Sequence, residues 1–172
     1  ALAQYYLQSN EFQPAGRRRK KPFLPACNFF CDRRLFEASG GFPEIRASED
    51  TLFCLKLSKI VPVWFVPEAR VHHVYRERWD GFFRAQTLTG RYIFLYRRDH
   101  YGDWYYRGAW PLFFLPAFLA IKFFRIAGRI FRAGPGPFFG WILCLPVFLV
   151  GLALWGWGFA CAVPAARAKD AP

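Results

Sequence analysis

The sequence predicts an α/β domain over residues 1–98, then an amphipathic helix lying in a membrane interface, then one transmembrane helix. Three observations carry this reading. Helical patterns and two strand-like apolar runs mix over residues 1–98. Four cations recur at helical spacing between Lys122 and Arg132, and no charged residue occurs between Arg132 and Arg167. Composition agrees, because 54% of the 172 residues are hydrophobic and 21% aromatic, an excess concentrated in the C-terminal third.

Residues 1–10 read as a helix and 11–25 as a polar, basic connection. A short helix over 33–39 stops at Gly40-Gly41, since glycine tolerates the left-handed conformation that ends helices and lets backbone approach a ligand. Ser48 then stands as an N-cap, with Glu49 and Asp50 in the first turn of a helix that buries Leu52, Phe53, Leu55 and Leu57. Two apolar runs, 61–66 and 69–74, are separated by Pro67-Glu68 and predict two strands. The period-two rule puts Ala69, Val71 and His73 on one face and His72 on the other. A further helix over 79–98 packs Phe82, Phe83, Tyr92 and Leu95.

Residues 99–132 form a Tyr/Trp-rich collar and a basic helix. Asp99 and Asp103 read as polar residues near a membrane surface. Lys122, Arg125, Arg129 and Arg132, spaced by three, four and three, share one helix face suited to anionic headgroups, with aromatics dipping into the acyl boundary. The final segment, 133–172, holds the transmembrane helix at about 138–163, long enough at about 1.5 Å per residue to cross a core about 30 Å thick. Pro146 is expected to kink it, and Trp155 and Trp157 to mark an interface. A hairpin in which 110–124 crosses first would strand four cations on the far side, against the positive-inside tendency, so one crossing is expected.

Lysines and arginines outnumber acids by 24 to 12, and Arg17-Arg18-Arg19-Lys20-Lys21 is a cationic run of the kind that binds nucleic acid. Aromatic residues do not interleave it, and no nucleic-acid-binding motif is present, so the expected partners include a membrane and no nucleic acid. A loop beside membrane phosphates, or one clamping a lipid diphosphate, is the more economical role. The five cysteines are odd in number and read as reduced core residues. Cys27, Cys31, Cys54 and His73 formally supply four zinc ligands, but no paired knuckle supports that reading.

A Ser-Glu-Asp at a helix start ordinarily only complements the helix dipole, and a lone His on an apolar face is ordinarily a core residue. Together, Glu49, Asp50 and His73 suggest an acid–base or metal site. Here the chain resembles a family 2 glycosyltransferase over about residues 25–98. The resemblance rests on Ala26-Cys27-Asn28-Phe29, Arg33-Arg34-Leu35-Phe36, Gly40-Gly41-Phe42-Pro43-Glu44, Glu49-Asp50, Pro67-x-Ala69-x-Val71-x-His73 and the helix from Arg84 to Arg91.

The resemblance implies the C-terminal, acceptor-side half of a GT-A-like nucleotide-sugar transferase domain and inverting transfer from a nucleotide-sugar donor. It makes Asp50 the catalytic base and Glu49 its support, with Gly40, Gly41 and Phe42 lining the sugar and acceptor pocket. His73 becomes a ligand of a divalent metal (Mg²⁺ or Mn²⁺), while Arg84, Gln86 and Arg91 are placed to meet a phosphate or the acceptor. The family's donor half, with an Asp-x-Asp motif holding most of the metal, is missing, and no Asp-x-Asp occurs in the chain. The chain is therefore expected to be a C-terminal fragment, inactive alone. Tyr75-Arg76-Glu77-Arg78-Trp79 is similar to the Gln-Arg-x-Arg-Trp of processive members, with tyrosine in place of glutamine. The implied setting is the inner (plasma) membrane with the catalytic domain facing the cytoplasm and a lipid-linked or envelope-polysaccharide acceptor. The alternative is a non-catalytic membrane docking or assembly module on the same scaffold.

Overall fold

The structure, a computed structural model, describes every residue except Ala15, Arg46, Ala47, Arg76, Gly102, Asp103, Arg107, Ala171 and Pro172, and treats 99–101, 105 and 165–170 by backbone alone. In chain order the regular elements are α1 (Leu2–Ser9), β1 (Arg19–Lys20), α2 (Arg33–Ala38), α3 (Glu49–Leu57), β2 (Trp64–Phe65), α4 (Trp79–Tyr101), α5 (Trp110–Ala133), α6 (Pro135–Leu143) and α7 (Leu145–Asp170). The expectation of an α/β, GT-A-like fold is overturned. Among the described residues there are seven α-helices and one two-stranded sheet, with no parallel strands for helices to cover.

Proline explains the missing strands. β2 pairs antiparallel with β1, Arg19 opposite Phe65 and Lys20 opposite Trp64. One more bond, Lys21 N–H to the Val63 carbonyl at 3.0 Å, extends the ladder. Pro62 and Pro67 bracket one strand and Pro22 follows the other, and a residue without an N–H cannot continue a ladder. The second expected strand, 69–74, is irregular and exposed throughout, with Val71 50% and Val74 83% accessible. Its alternation has no sheet to bury a face against.

The chain divides into two compact units, one of Ala1–Glu11 with Tyr75–Pro172 and the other of Phe12–Val74. The smaller unit is built on α3, whose Phe53, Cys54 and Leu57 are buried with Val63, and Phe23, Leu24, Phe29, Leu35 and Phe36 pack around them. In the helical unit, Tyr6 and Leu7 of α1, Phe82 of α4, Ile126 and Ile130 of α5, Trp141 of α6 and Phe148 of α7 share one core. Phe94, Tyr106, Trp155 and Phe159 share a second.

Two helices of this unit are long and apolar enough to cross a membrane, Trp110–Ala133 and the part of α7 from Leu145 to Pro164. The second is half buried by its neighbours, whereas the first is 11% buried. The helix expected over 138–163 is interrupted at Cys144 (φ −97°, ψ 8°). Pro146 is the cause, because its ring would strike a carbonyl one turn back inside a continuous helix but is tolerated in the first turn of a new one. The basic stripe of α5 is partly engaged within the unit. Arg129 pairs with Glu11 at 2.7 Å and donates to Asn10 Oδ1 at 2.8 Å, and Lys122 Nζ lies 4.6 Å from the Trp155 ring centroid.

The α4–α7 contact depends on absent side chains. A Cβ at Gly90 would fall on the Trp155 carbonyl, and one at Gly158 on the Thr87 carbonyl. Both obstacles are backbone and cannot rotate away. Gly158→Ala is therefore expected to cost about 1–3 kcal/mol or more, lowering the Tm of the detergent-solubilised chain by several degrees. Gly128→Ala, where a Cβ meets nothing within 4 Å, is the control. Equal melting of the two variants would contradict this close approach.

Candidate functional site

The expected glycine turn forms for the expected reason. Gly40 and Gly41 have φ of +78° and +61°. Gly40 N–H donates to the Glu37 carbonyl and Gly41 N–H to the Phe36 carbonyl, both at 3.0 Å. These two bonds satisfy the carbonyls that α2 leaves open at its C-terminus, in the Schellman arrangement. A Cβ at Gly41 would also press on the Phe36 ring at 3.2 Å. At its other end α2 is capped by Asp32, whose carboxylate accepts from Arg34 N–H at 2.7 Å.

Phe42 leaves this turn and packs its ring 5.4 Å from Phe36 and 5.0 Å from Phe53, measured between centroids, while staying 45% exposed. Phe29 stands edge-on to Phe53 at 5.6 Å. One aromatic cluster thus holds the Gly-Gly-Phe turn against α3, the helix that carries Glu49 and Asp50 in its first turn. The contact runs through Phe42 and Phe53, and Phe53 lies about one turn along α3 from Asp50.

Asp50 reaches beyond its helix. Its Oδ2 accepts from Ala26 N–H at 3.1 Å, the start of a 3-10 turn over Ala26–Asn28. Its Oδ1 accepts from Thr51 N–H at 2.7 Å. The Asn28 amide at the end of that turn donates to the Ala69 carbonyl at 2.8 Å, tying in the segment that leads to His73. Oδ1 also accepts from Thr51 Oγ1 at 3.4 Å, which leaves Oδ2 as the oxygen with lone-pair capacity for a hydroxyl proton. Burial pushes the Cys27 and Cys54 thiols up from the ordinary cysteine range, and the nearby Asp50 charge acts in the same direction. Both cysteines are free thiols, Cys54 buried and Cys27 exposed.

Other expectations are corrected. Ser48 precedes α3 in the left-handed region (φ 70°), and its side chain makes no capping bond. His73, expected on the apolar face of a strand, lies on an exposed irregular segment. Among the described residues no group of three or more His, Cys, Asp or Glu side chains is placed to hold a metal ion.

Arg84, Gln86 and Arg91 lie on α4, in the helical unit. Arg84 and Arg91 are exposed. Gln86 is 1% exposed, and its Nε2 has no hydrogen-bond partner among the described residues. It sits one turn from both Phe82 and Gly90, on the α4 face that meets α7, so it cannot reach an acceptor in this arrangement. In the processive-like sequence, Arg76 lies outside the described residues, as does Asp103, and Asp99 is placed by backbone alone. Tyr75 shares a 2.8 Å hydrogen bond with Ser9, and Arg78 pairs with Asp80 at 3.1 Å.

One feature escapes sequence reading. Ribbon pairing supplies the aromatics missing around the basic run, placing Arg18 over the Trp64 ring and Arg19 over Phe65, each with its guanidinium carbon 4.4 Å from the centroid. The available signal was Trp64-Phe65 between two prolines. Compared with known proteins, the chain matches no family model, no curated sequence and no solved structure.

Proposed function

We propose that this chain takes part in inverting sugar transfer from a nucleotide-sugar donor to a lipid-linked or cell-envelope polysaccharide acceptor, with Asp50 as general base and Glu49 beside it. The observation that most supports the reading is the shared aromatic cluster of Phe36, Phe42 and Phe53, which holds the Gly40-Gly41 turn against α3, the helix whose first turn carries Asp50. In the proposed step the acceptor hydroxyl gives its proton to Asp50 as its oxygen bonds to the anomeric carbon. The bond from that carbon to the diphosphate breaks on the opposite face, and the nucleoside diphosphate departs. Gly40, Gly41 and Phe42 would border the acceptor.

A divalent cation would neutralise the departing diphosphate. The described residues do not build its site. Two helices of membrane-crossing length support action at a membrane. The inner membrane, with Asp50 on its cytoplasmic side, is the proposed location, since nucleotide sugars are cytoplasmic. A second reading, a non-catalytic docking module, is favoured by Asp50's bonds to Ala26 and Thr51, which suffice to explain the residue structurally.

Membranes from cells expressing the gene that encodes this chain, incubated with radiolabelled nucleotide sugars and Mg²⁺ or Mn²⁺, are expected to transfer label from at least one donor into lipid or polymer. Membranes lacking the gene should not. Label transfer that is the same in both preparations for every donor would sink the catalytic reading and leave the docking module.

A further inference from the structure

Within the helical unit, the middle of α7 decides how the chain meets a membrane. A Cβ at Gly158 would strike the Thr87 carbonyl of α4, and one at Gly156 would press on the Leu119 side chain of α5. Positions two apart lie on nearly opposite sides of a helix, so α7 is sandwiched between α4 and α5. Its apolar stretch, Leu145–Pro164, is centred near Trp155. The Trp155 carbonyl meets Gly90 of α4, and its ring meets the Lys122 ammonium, halfway along α5, at 4.6 Å from the centroid.

At this level the outer side of α4 is cationic. Arg91, next in sequence to Gly90, is exposed, and so is Arg84 two turns earlier. If α7 crossed a bilayer, Arg91 would face hydrocarbon near the midplane, with Lys122 at the same depth. Charges at that depth are costly, and those that occur face the interior of a bundle or a wet cavity. The outer side of α5 is the reverse. Opposite Lys122 stand Phe113, Phe124 and Phe131, spaced by eleven and seven residues and so in one line about 27 Å long. Each is between 68% and 73% exposed. Arg125 and Arg132, both exposed, flank this line on one side.

The unit thus has an aromatic line on one outer helix and cations on the other, with the most apolar helix between them. An anionic bilayer surface fits both outer faces. The phenylalanines enter the acyl boundary, Arg125 and Arg132 reach lipid phosphates beside them, and Arg84 and Arg91 stay in water. We infer that the helical unit is seated in one leaflet, with α5 lying along the membrane plane on its Phe113, Phe124 and Phe131 side, and that neither α5 nor α7 crosses the bilayer. This rests on the membrane association proposed above and is independent of sugar transfer.

The test places single reporters in the full chain: Ala109→Cys before α5, Gly136→Cys after it, where a Cβ meets nothing within 4 Å, and Arg91→Cys on α4. A membrane-impermeant maleimide is applied to spheroplasts and to sealed inverted vesicles of a bacterial host, which present opposite membrane faces. Labelled peptides are identified by mass spectrometry, which separates the reporters from the native cysteines. All three are expected to react in the same one of the two preparations. Reaction of Ala109→Cys and Gly136→Cys from opposite faces would show that α5 crosses, and reaction of Arg91→Cys only after detergent would show that α7 does. Either result overturns the inference while leaving membrane association intact, whereas a chain found in the soluble fraction would sink both.

The docking face has its own test. Phe124→Asp is expected to shift the membrane-to-soluble ratio at least about tenfold toward the soluble fraction, with an unchanged far-UV spectrum confirming that the released chain is folded. An unchanged ratio would show that another face holds the membrane. Oxidative crosslinking of Phe124→Cys to its counterpart in a second copy would overturn the lipid assignment.

Discussion

Asp50→Asn is expected to lower sugar transfer by about 10²–10⁴ while leaving the Phe12–Val74 unit folded. Asparagine is nearly isosteric, and its carbonyl oxygen can still accept from Ala26 N–H or Thr51 N–H, the two backbone groups that Asp50 now satisfies. It cannot take up a proton. Asp50→Ala removes both functions, and loss of the tether should cost about 0.5–2 kcal/mol in addition. The pair of variants therefore separates chemistry from architecture. Transfer measured in membranes, with proteolytic resistance of the smaller unit measured in parallel, decides between them. If Asn retains wild-type transfer and only Ala loses it, Asp50 is a structural link and the docking-module reading gains. If Asn loses transfer with an intact unit, the base assignment stands.

Those variants also show how far sequence reasoning reached. The Gly40-Gly41 turn was legible because its cause is local. A helix must end, its last carbonyls need partners, and only glycine takes two successive positive φ values without cost. α3 and α4 start where expected, α3 without the Ser48 capping bond that was its expected cause, and Phe53 is buried as its apolar periodicity implied.

Long-range causes were not legible. Trp64-Phe65 reads as a strand, but its partner, Arg19-Lys20, lies in a run that resembles a solvated loop. The pairing depends on prolines that forbid longer strands, and on cations that gain by covering aromatic faces. Ala69 to Val74 alternates like a strand yet lies outside the described β1–β2 sheet, and periodicity alone cannot report whether a strand will pair. Gln86 followed the same logic in reverse. Its polarity suggested an exposed contact, whereas Gly90 and Gly158, distant in sequence, let α4 and α7 approach so closely that it is enclosed. Pro146 was visible in the uncharged C-terminal segment, but whether it would kink one helix or divide two depended on Cys144 leaving helical geometry. The site divides along the same line, since the Gly-Gly-Phe turn and Asp50 rest on local causes, whereas placing His73 required a strand over 69–74 that is not among the described elements.

Phe53→Ala is expected to be the most disruptive single change to the smaller unit. The ring is fully buried and meets Phe29, Phe36 and Phe42, with centroids between 5.0 and 5.6 Å. Truncating it removes three aromatic pairings and opens a cavity among rings whose own backbones are fixed by the Asp32 cap, the Gly40-Gly41 turn and α3, so little collapse can fill it. Comparable substitutions cost about 3–5 kcal/mol, a large part of the roughly 5–15 kcal/mol that holds an ordinary domain folded. The predicted signature is local. Amide exchange should accelerate by two to three orders of magnitude in residues 29–57, while peptides of α4 and α7, which belong to the other unit, keep wild-type protection. Because Phe53 also holds the Phe42 turn against the helix that carries Asp50, transfer should fall even though every proposed polar group is present. Acceleration spread equally over both units would show that they unfold together. Unchanged exchange in residues 29–57 would show that the aromatic cluster is not what fixes the turn against α3.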